Sequence, residues 1–233
     1  MSVPLGPAAG LPERGLRFAR GRAVGWFHRR WEIHERGQDL VPADGPVILA
    51  SNHIGWLDGP LLVATAPRPP HAMVKEEEFA GRAGRLLRLV AQIKVARDRT
   101  DTAALRQAVR SLSAGQCVLV FPEGRRGDGE HTEFKGGVAY LALVTGAPVV
   151  PVALFGTRQP GEGPRARPAP RTRLDIVYGE PIHLPMQAWP PDRGMLEDAG
   201  DTIHGHLRAH VSRAKDALKR DLPGPLPTGS PDV

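Results

Sequence analysis

Six short stretches of this chain are apolar at nearly every position, not at every second one. They are Pro46–Ala50, His71–Val74, Gln92–Ala96, Cys117–Phe121, Val149–Phe155 and Leu174–Tyr178. A strand with one wet face alternates apolar and polar residues, so an unbroken apolar run must be covered on both sides. That condition is met in sheets whose strands run parallel and whose crossovers lay helices on both faces. Helical patterns do lie between the runs. Thr102–Ser113 places Leu105, Ala108, Val109 and Leu112 on one face, and a helix is predicted from Met195 to Arg220 with Ile203, Leu207, Val211, Ala214 and Leu218 in one stripe. At 233 residues, the chain reads as one α/β domain with a mostly parallel central sheet flanked by helices.

Val138–Phe155 is long enough to suggest a membrane span, with eighteen residues and no charge. Gly146, Pro148 and Pro151 interrupt it, and the Gly-Ala-Pro in its middle is a turn signal. It is predicted to be a buried helix, a turn and a buried strand. No transmembrane helix and no signal peptide are expected, since Val3–Pro7 breaks any apolar leader. Cys117 is the single cysteine; set in an apolar strand, it reads as an inert core thiol in a reducing compartment. Residues 1–13 are predicted flexible, 158–172 a loop rich in Pro, Gly and Arg, and 222–233 disordered.

The formal net charge is +6, which favours an anionic partner. Much of the excess sits between Arg14 and Arg36, where seven arginines face two glutamates. Read as one helix over 14–37, this segment puts Leu16, Ala19, Ala23, Trp26, Phe27 and Trp31 on one half. Arg14, Arg17, Arg22, Arg29 and Arg36 fall on the other. Such a helix can dock on an anionic membrane surface, or can pack its apolar face on the core and simply solvate its arginines. With aromatics at 5% and no nucleic-acid-binding motif, no nucleic acid partner is expected.

Two loops carry polar groups that a fold alone does not require. Ser51-Asn52-His53-Ile54-Gly55-Trp56-Leu57-Asp58-Gly59 follows the first apolar run, at the sheet edge where open α/β folds place ligands. A carboxylate at Asp58 can hold one ring nitrogen of His53 and leave the other as a base; alternatively Asp58 caps a helix and His53 is incidental. Phe121-Pro122-Glu123-Gly124-Arg125-Arg126-Gly127 ends another run in a turn with two guanidiniums, which can grip a phosphate or merely face solvent.

Taken together, these loops resemble the glycerolipid acyltransferase family of lysophosphatidic acid acyltransferases. Asn52-His53 and Asp58 are similar to its Asn-His-x4-Asp motif, Ile93-Lys94-Val95-Ala96-Arg97 to its second motif, Phe121–Gly127 to its Phe-Pro-Glu-Gly motif, and Val149–Val152 to its Pro-containing strand. Lys75 and Phe134-Lys135-Gly136-Gly137 agree with the same family. The resemblance covers about residues 40–185, within a domain expected over 38–221.

It implies transfer of a fatty acyl group from a thioester, acyl-coenzyme A or acyl carrier protein, to the free hydroxyl of a lysophospholipid. The first candidate is 1-acylglycerol-3-phosphate, which would give phosphatidic acid. His53 would be the general base and Asp58 would orient it, without an acyl-enzyme. Arg97, Glu123, Gly124 and Arg126 match positions that bind the acceptor phosphate or shape its pocket, with Arg125 adding a charge beside the expected phosphate site and Glu123 expected to position Arg97 or Arg126 through an ion pair. Backbone N–H groups near Gly124 are candidate oxyanion donors. No bound cofactor or metal is implied, and the chain would sit in the cytoplasm, peripheral on the inner face of the cell membrane. Gly55 stands where the family usually has Ser, and Arg125 where it has Thr, which leaves the acceptor open to another lyso-lipid, an aminolipid or a specialised metabolite. A non-catalytic lipid-binding relative is a different class of answer. So is a metal-dependent hydrolase using His53 and Asp58, although His206 and His210 carry no accompanying Glu-x-x motif.

Overall fold

The strand β2 (Val47–Ser51) is buried at all five positions, because helices cover both sides of it. Val47 and Leu49 face one hydrophobic cluster, while Ile48 and Ala50 face the other. The computed structural model describes residues 9–96, 101–188 and 190–230. Its elements in chain order are α1 (Arg14–Arg30), β1 (Glu32–Arg36), β2, α2 (Asp58–Thr65), β3 (Pro70–Lys75), α3 (Gly81–Leu89), β4 (Ile93–Val95) and α4 (Thr102–Ser113). There follow β5 (Cys117–Val120), α5 (Gly137–Thr145), β6 (Val149–Phe155), β7 (Arg173–Tyr178) and α6 (Arg193–Leu218).

The seven strands lie in the order β1-β7-β6-β2-β5-β3-β4. Every pairing is parallel except β6 with β7. The α1 and α2 helices pack on one face with Phe27, Trp31, Leu57 and Leu61; α4, α5 and α6 pack on the other with Leu112, Leu141 and Leu207. After β2 the chain winds outward through β3 and β4, returns as β5 on one side of β2, then crosses to β6 on the other. The carboxyl ends of β2, β5 and β6 therefore surround a topological switch point, the place where such sheets leave a crevice.

The uncharged Val138–Phe155 stretch folds as α5, a left-handed Gly146 at φ +65°, and β6. A left-handed C-terminal residue is where glycine is least strained. Among the described residues no helix is long and apolar enough to cross a membrane. Cys117 is buried, and desolvation pushes its thiol up to about 12, so the thiolate is absent at neutral pH.

Three expectations need correction. The basic helix ends at Arg30 and not at residue 37: Trp31 turns extended, its indole is buried, and its Nε1–H donates to the Pro168 carbonyl at 3.1 Å. Residues 32–36 then form the edge strand β1 on β7, where Ile33 and Glu35 point inward and their neighbours outward. Of the predicted flexible start, Leu11 is tied to Gln116 by reciprocal bonds of 2.8 and 2.7 Å, while residues 1–8 lie outside the described residues. The predicted disordered tail begins as packed chain, because Leu222 is buried beside Ile54 and Phe155.

Candidate active site

Each loop at the switch point is held by bonds that reach across the sheet. Asn52, fully buried, accepts from Leu154 N–H (2.7 Å) and donates to Leu154 C=O (3.1 Å). Its amide thus extends the β2–β6 ladder by one side-chain pair and fixes the next residue, His53. The His53 backbone N–H donates to Glu123 Oε1 at 2.9 Å, and its carbonyl accepts from Gly127 N–H at 2.8 Å. The ring stacks on Phe121, with centroids 4.1 Å apart.

The ring nitrogen Nδ1 lies 2.8 Å from Asp58 Oδ2. That oxygen also accepts from Ile54 N–H (2.7 Å) and Gly55 N–H (2.9 Å), and Thr157 Oγ1–H donates to Oδ1. A carboxylate receiving these donors has only acceptor capacity left, so Nδ1 carries the proton and Nε2 is the basic atom. Asp58 opens α2, where the helix N-terminus favours an anion. Gly55 leaves no room for a serine: a Cβ there would stand 2.8 Å from Thr157 O.

Glu123 is buried but does not pair with Arg126, whose Nη2 instead lies 3.9 Å from Glu78. Its bond goes to the His53 backbone, and 3.7 Å away stands Nδ1 of the fully buried His131. Burial pushes Glu123 up to about 8 and His131 down to about 4, so at neutral pH these are two neutral groups. Gly124 sits at φ +71° and its N–H closes the turn onto Phe121 O at 2.9 Å. That turn bond occupies one of the backbone N–H groups expected as oxyanion donors around Gly124. Arg97 lies outside the described residues.

An unfolded Glu123 loses its proton near 4.5, the folded one near 8. The native state holds a proton the unfolded chain has released, so stability falls as pH rises through this window. His131 works in the opposite sense, lowering stability as pH drops from 6.5 to 4. Above 6.5 only the Glu123 contribution remains. Wild type is expected to lose about 1–2 kcal/mol between pH 6.5 and 8, and Glu123→Gln to lose none of it. Urea melts at the two pH values check this; equal slopes in both proteins would contradict it.

His53 opens on a cavity of about 1140 Å³ whose wall has two parts. One is apolar and comes from helices: Leu16, Ala19 and Ala23 of α1, Val63 of α2, Leu86 and Leu87 of α3. The other carries Lys75 at the end of β3 and Arg125, Arg126 and Lys135 from loops, with Glu78 and Glu133 among them. Arg125 is half-exposed and ion-paired with Glu133, while Arg126 is largely buried. The structure thus brings His53, Asp58, Glu123, Gly124, Arg125 and Arg126 to one place.

Sequence reasoning missed Thr157 and Arg158, which follow β6. Arg158 is 1% exposed. It donates to Ile54 O (2.7 Å), Glu162 O (3.1 Å), Gly127 O (2.9 Å) and Gly224 O (2.5 Å). A Thr-Arg pair one glycine beyond a fully apolar strand was the available signal. Among the described residues no three His, Cys, Asp or Glu side chains form a metal-binding group. His204, His206 and His210 each bond a backbone carbonyl.

A carboxylate-held imidazole at the switch point of a mostly parallel α/β sheet, lining a cavity with an apolar wall and several cationic side chains, marks an α/β enzyme. The family model described as Acyltransferase matches residues 32–155, just over half of the chain, and the chain belongs to that acyltransferase family. This is the family that the four sequence motifs resemble. The chain is 27% identical over 173 residues to the 1-acyl-sn-glycerol-3-phosphate acyltransferase of Bacillus subtilis, covering 73% of this chain and 84% of that one. It is 32% identical over 166 residues to the enzyme of the same name from Limnanthes alba, covering 67% and 56%. The crystal structure of the 1-acyl-sn-glycerophosphate (LPA) acyltransferase PlsC from Thermotoga maritima shares the fold, with a TM-score of 0.65 at 23% identity over 88% of this chain and 78% of that one.

Proposed function

We propose that this enzyme transfers a fatty acyl group from an acyl thioester to the free hydroxyl of 1-acylglycerol-3-phosphate, giving phosphatidic acid. The observation that carries the reading is the His53–Asp58 pair, bonded at 2.8 Å, whose histidine lines a cavity that is apolar along its helices and carries Lys75, Arg125, Arg126 and Lys135 on its other side. The names of the curated relatives support the same acceptor.

In this reading His53 Nε2 takes the hydroxyl proton as the oxygen attacks the thioester carbonyl. The imidazolium, stabilised by Asp58, returns the proton to the departing thiolate. A thioester is already activated, so no acyl-enzyme forms. The acyl chain lies against α1, α2 and α3, and the acceptor phosphate meets Lys75, Arg126 and Lys135. Phe18, Trp26, Leu86 and Leu89 are exposed on α1 and α3, the helices that rim the apolar wall. Together with the arginines of α1 they would seat this rim on an anionic membrane surface, where lysophospholipid resides.

Thiol release from acyl-coenzyme A, with wild type and His53→Ala, with and without lysophosphatidic acid, tests the reading. Release is expected to need both His53 and the acceptor. Release that needs His53 but ignores the acceptor would mean thioester hydrolysis, and acceptor-dependent release surviving in His53→Ala would remove the base.

A further inference from the structure

A second, smaller cleft adjoins the catalytic cavity and has no part in the chemistry above. It measures about 230 Å³ and is lined by Trp56, Glu78, Arg165 and Arg167. Trp56 and Glu78 line both spaces, so the cleft continues from the His53 cavity.

The loop bearing the two arginines is built, not loose. At its start, Arg158 is locked onto four carbonyls, and Gln159 N–H donates to Glu162 Oε2 at 2.9 Å. A turn follows, closed by Ala166 N–H on Gly163 O at 3.0 Å. At its end, Pro168 O accepts from Trp31, and Arg171 N–H donates to Arg30 O at 2.8 Å. Pro164 and Pro168 are buried, while Arg165 and Arg167, each beside one of them, reach the cleft. The Arg167 guanidinium lies 4.9 Å over the Trp56 ring, a contact that holds it in place.

Most cations near the site have a carboxylate partner: Arg125 has Glu133, and Lys75 and Arg126 share Glu78. Among the described residues neither Arg165 nor Arg167 has one. Arg167, held over the indole, and the exposed Arg165 beside it, in a cleft the size of a few phosphate and sugar groups, suit a small polyanion.

We infer that this cleft binds the phosphate-bearing nucleotide end of a coenzyme A thioester, so that Trp56 marks the point where the donor's pantetheine arm enters the catalytic cavity. The inference rests on the acyl-transfer reading and adds its donor. The acyl chain and the nucleotide then leave His53 in different directions, and the acceptor phosphate keeps the Lys75–Arg126 side to itself. A carrier protein would need a broad basic surface, whereas two arginines in a cleft of about 230 Å³ fit phosphates.

The test compares acyl-coenzyme A with acyl-pantetheine, which has the same thioester and no phosphates, in wild type and in Arg165→Gln/Arg167→Gln. The ratio of kcat/KM for the two donors is expected to fall at least about tenfold in the variant. Binding of free coenzyme A, followed by calorimetry, should weaken by a similar factor. A donor ratio that stays put would overturn the inference, as would coenzyme A binding that does not depend on these arginines. So would an effect seen only with acyl carrier protein or only with anionic vesicles. Arginine-dependent coenzyme A binding in a protein that transfers no acyl group would support the cleft and sink the proposed function.

Discussion

Asp58→Asn is expected to lower kcat about a thousandfold while leaving KM within a few-fold of wild type and the fold intact. The reason lies in how Asp58 is surrounded. One oxygen receives three N–H donors, from Ile54, Gly55 and His53. An asparagine can satisfy them only with its carbonyl on that side, which points its NH2 at Thr157. The Thr157 hydroxyl can rotate to accept instead of donate, so the amide has one good orientation and His53 keeps its tautomer. What disappears is the negative charge that, in the proposed mechanism, stabilises the imidazolium at the moment of transfer. Steady-state kinetics with a thermal melt on the same sample checks this. A variant with near-normal kcat would show that the carboxylate only orients the ring, and one that fails to fold would show that the loop requires the charge.

Arg158→Met should destabilise the protein by about 3–5 kcal/mol, or roughly 10 °C in Tm for a chain of this size. Methionine fills most of the volume but donates nothing. The carbonyls of Ile54, Gly127, Glu162 and Gly224 would lose their partner together. Two of these belong to the loops that hold His53, so kcat should fall as well, by about tenfold or more, with the pH profile broadened as the ring loses its fixed partner. Arg158→Lys restores part of both losses, since an ammonium has three donors but not the planar spread to reach four separate acceptors. Wild-type Tm and turnover in the methionine variant would mean that the bonds hold nothing.

The central strands were legible because burial on both faces leaves a continuous apolar run. Val149–Phe155 and Thr102–Ser113 have the bounds their patterns predict. The strand β1 was not, because it follows a helix without a break in composition. Only the two-residue alternation of Ile33 and Glu35 against exposed neighbours distinguishes it, and the arginines and aromatics upstream drew the helical reading across it. In the candidate site, His53 and Asp58 were readable because they stand five residues apart, across the turn from β2 into α2. Thr157 and Arg158 act on that loop from about a hundred residues away, a distance that local spacing does not encode. Glu123 was seen, but its bond was not: an ion pair is the usual expectation for a Glu near arginines, and a backbone N–H took its place.

Arg158 grips main-chain oxygens alone, and main-chain oxygens are the same whatever the side chain. Substitutions at Ile54, Gly127, Glu162 or Gly224 therefore leave the acceptor in place so long as the chain path is kept, whereas a change at Arg158 acts on all four contacts at once. The side chains around the candidate site can therefore vary about one residue, Arg158, on which four main-chain oxygens depend.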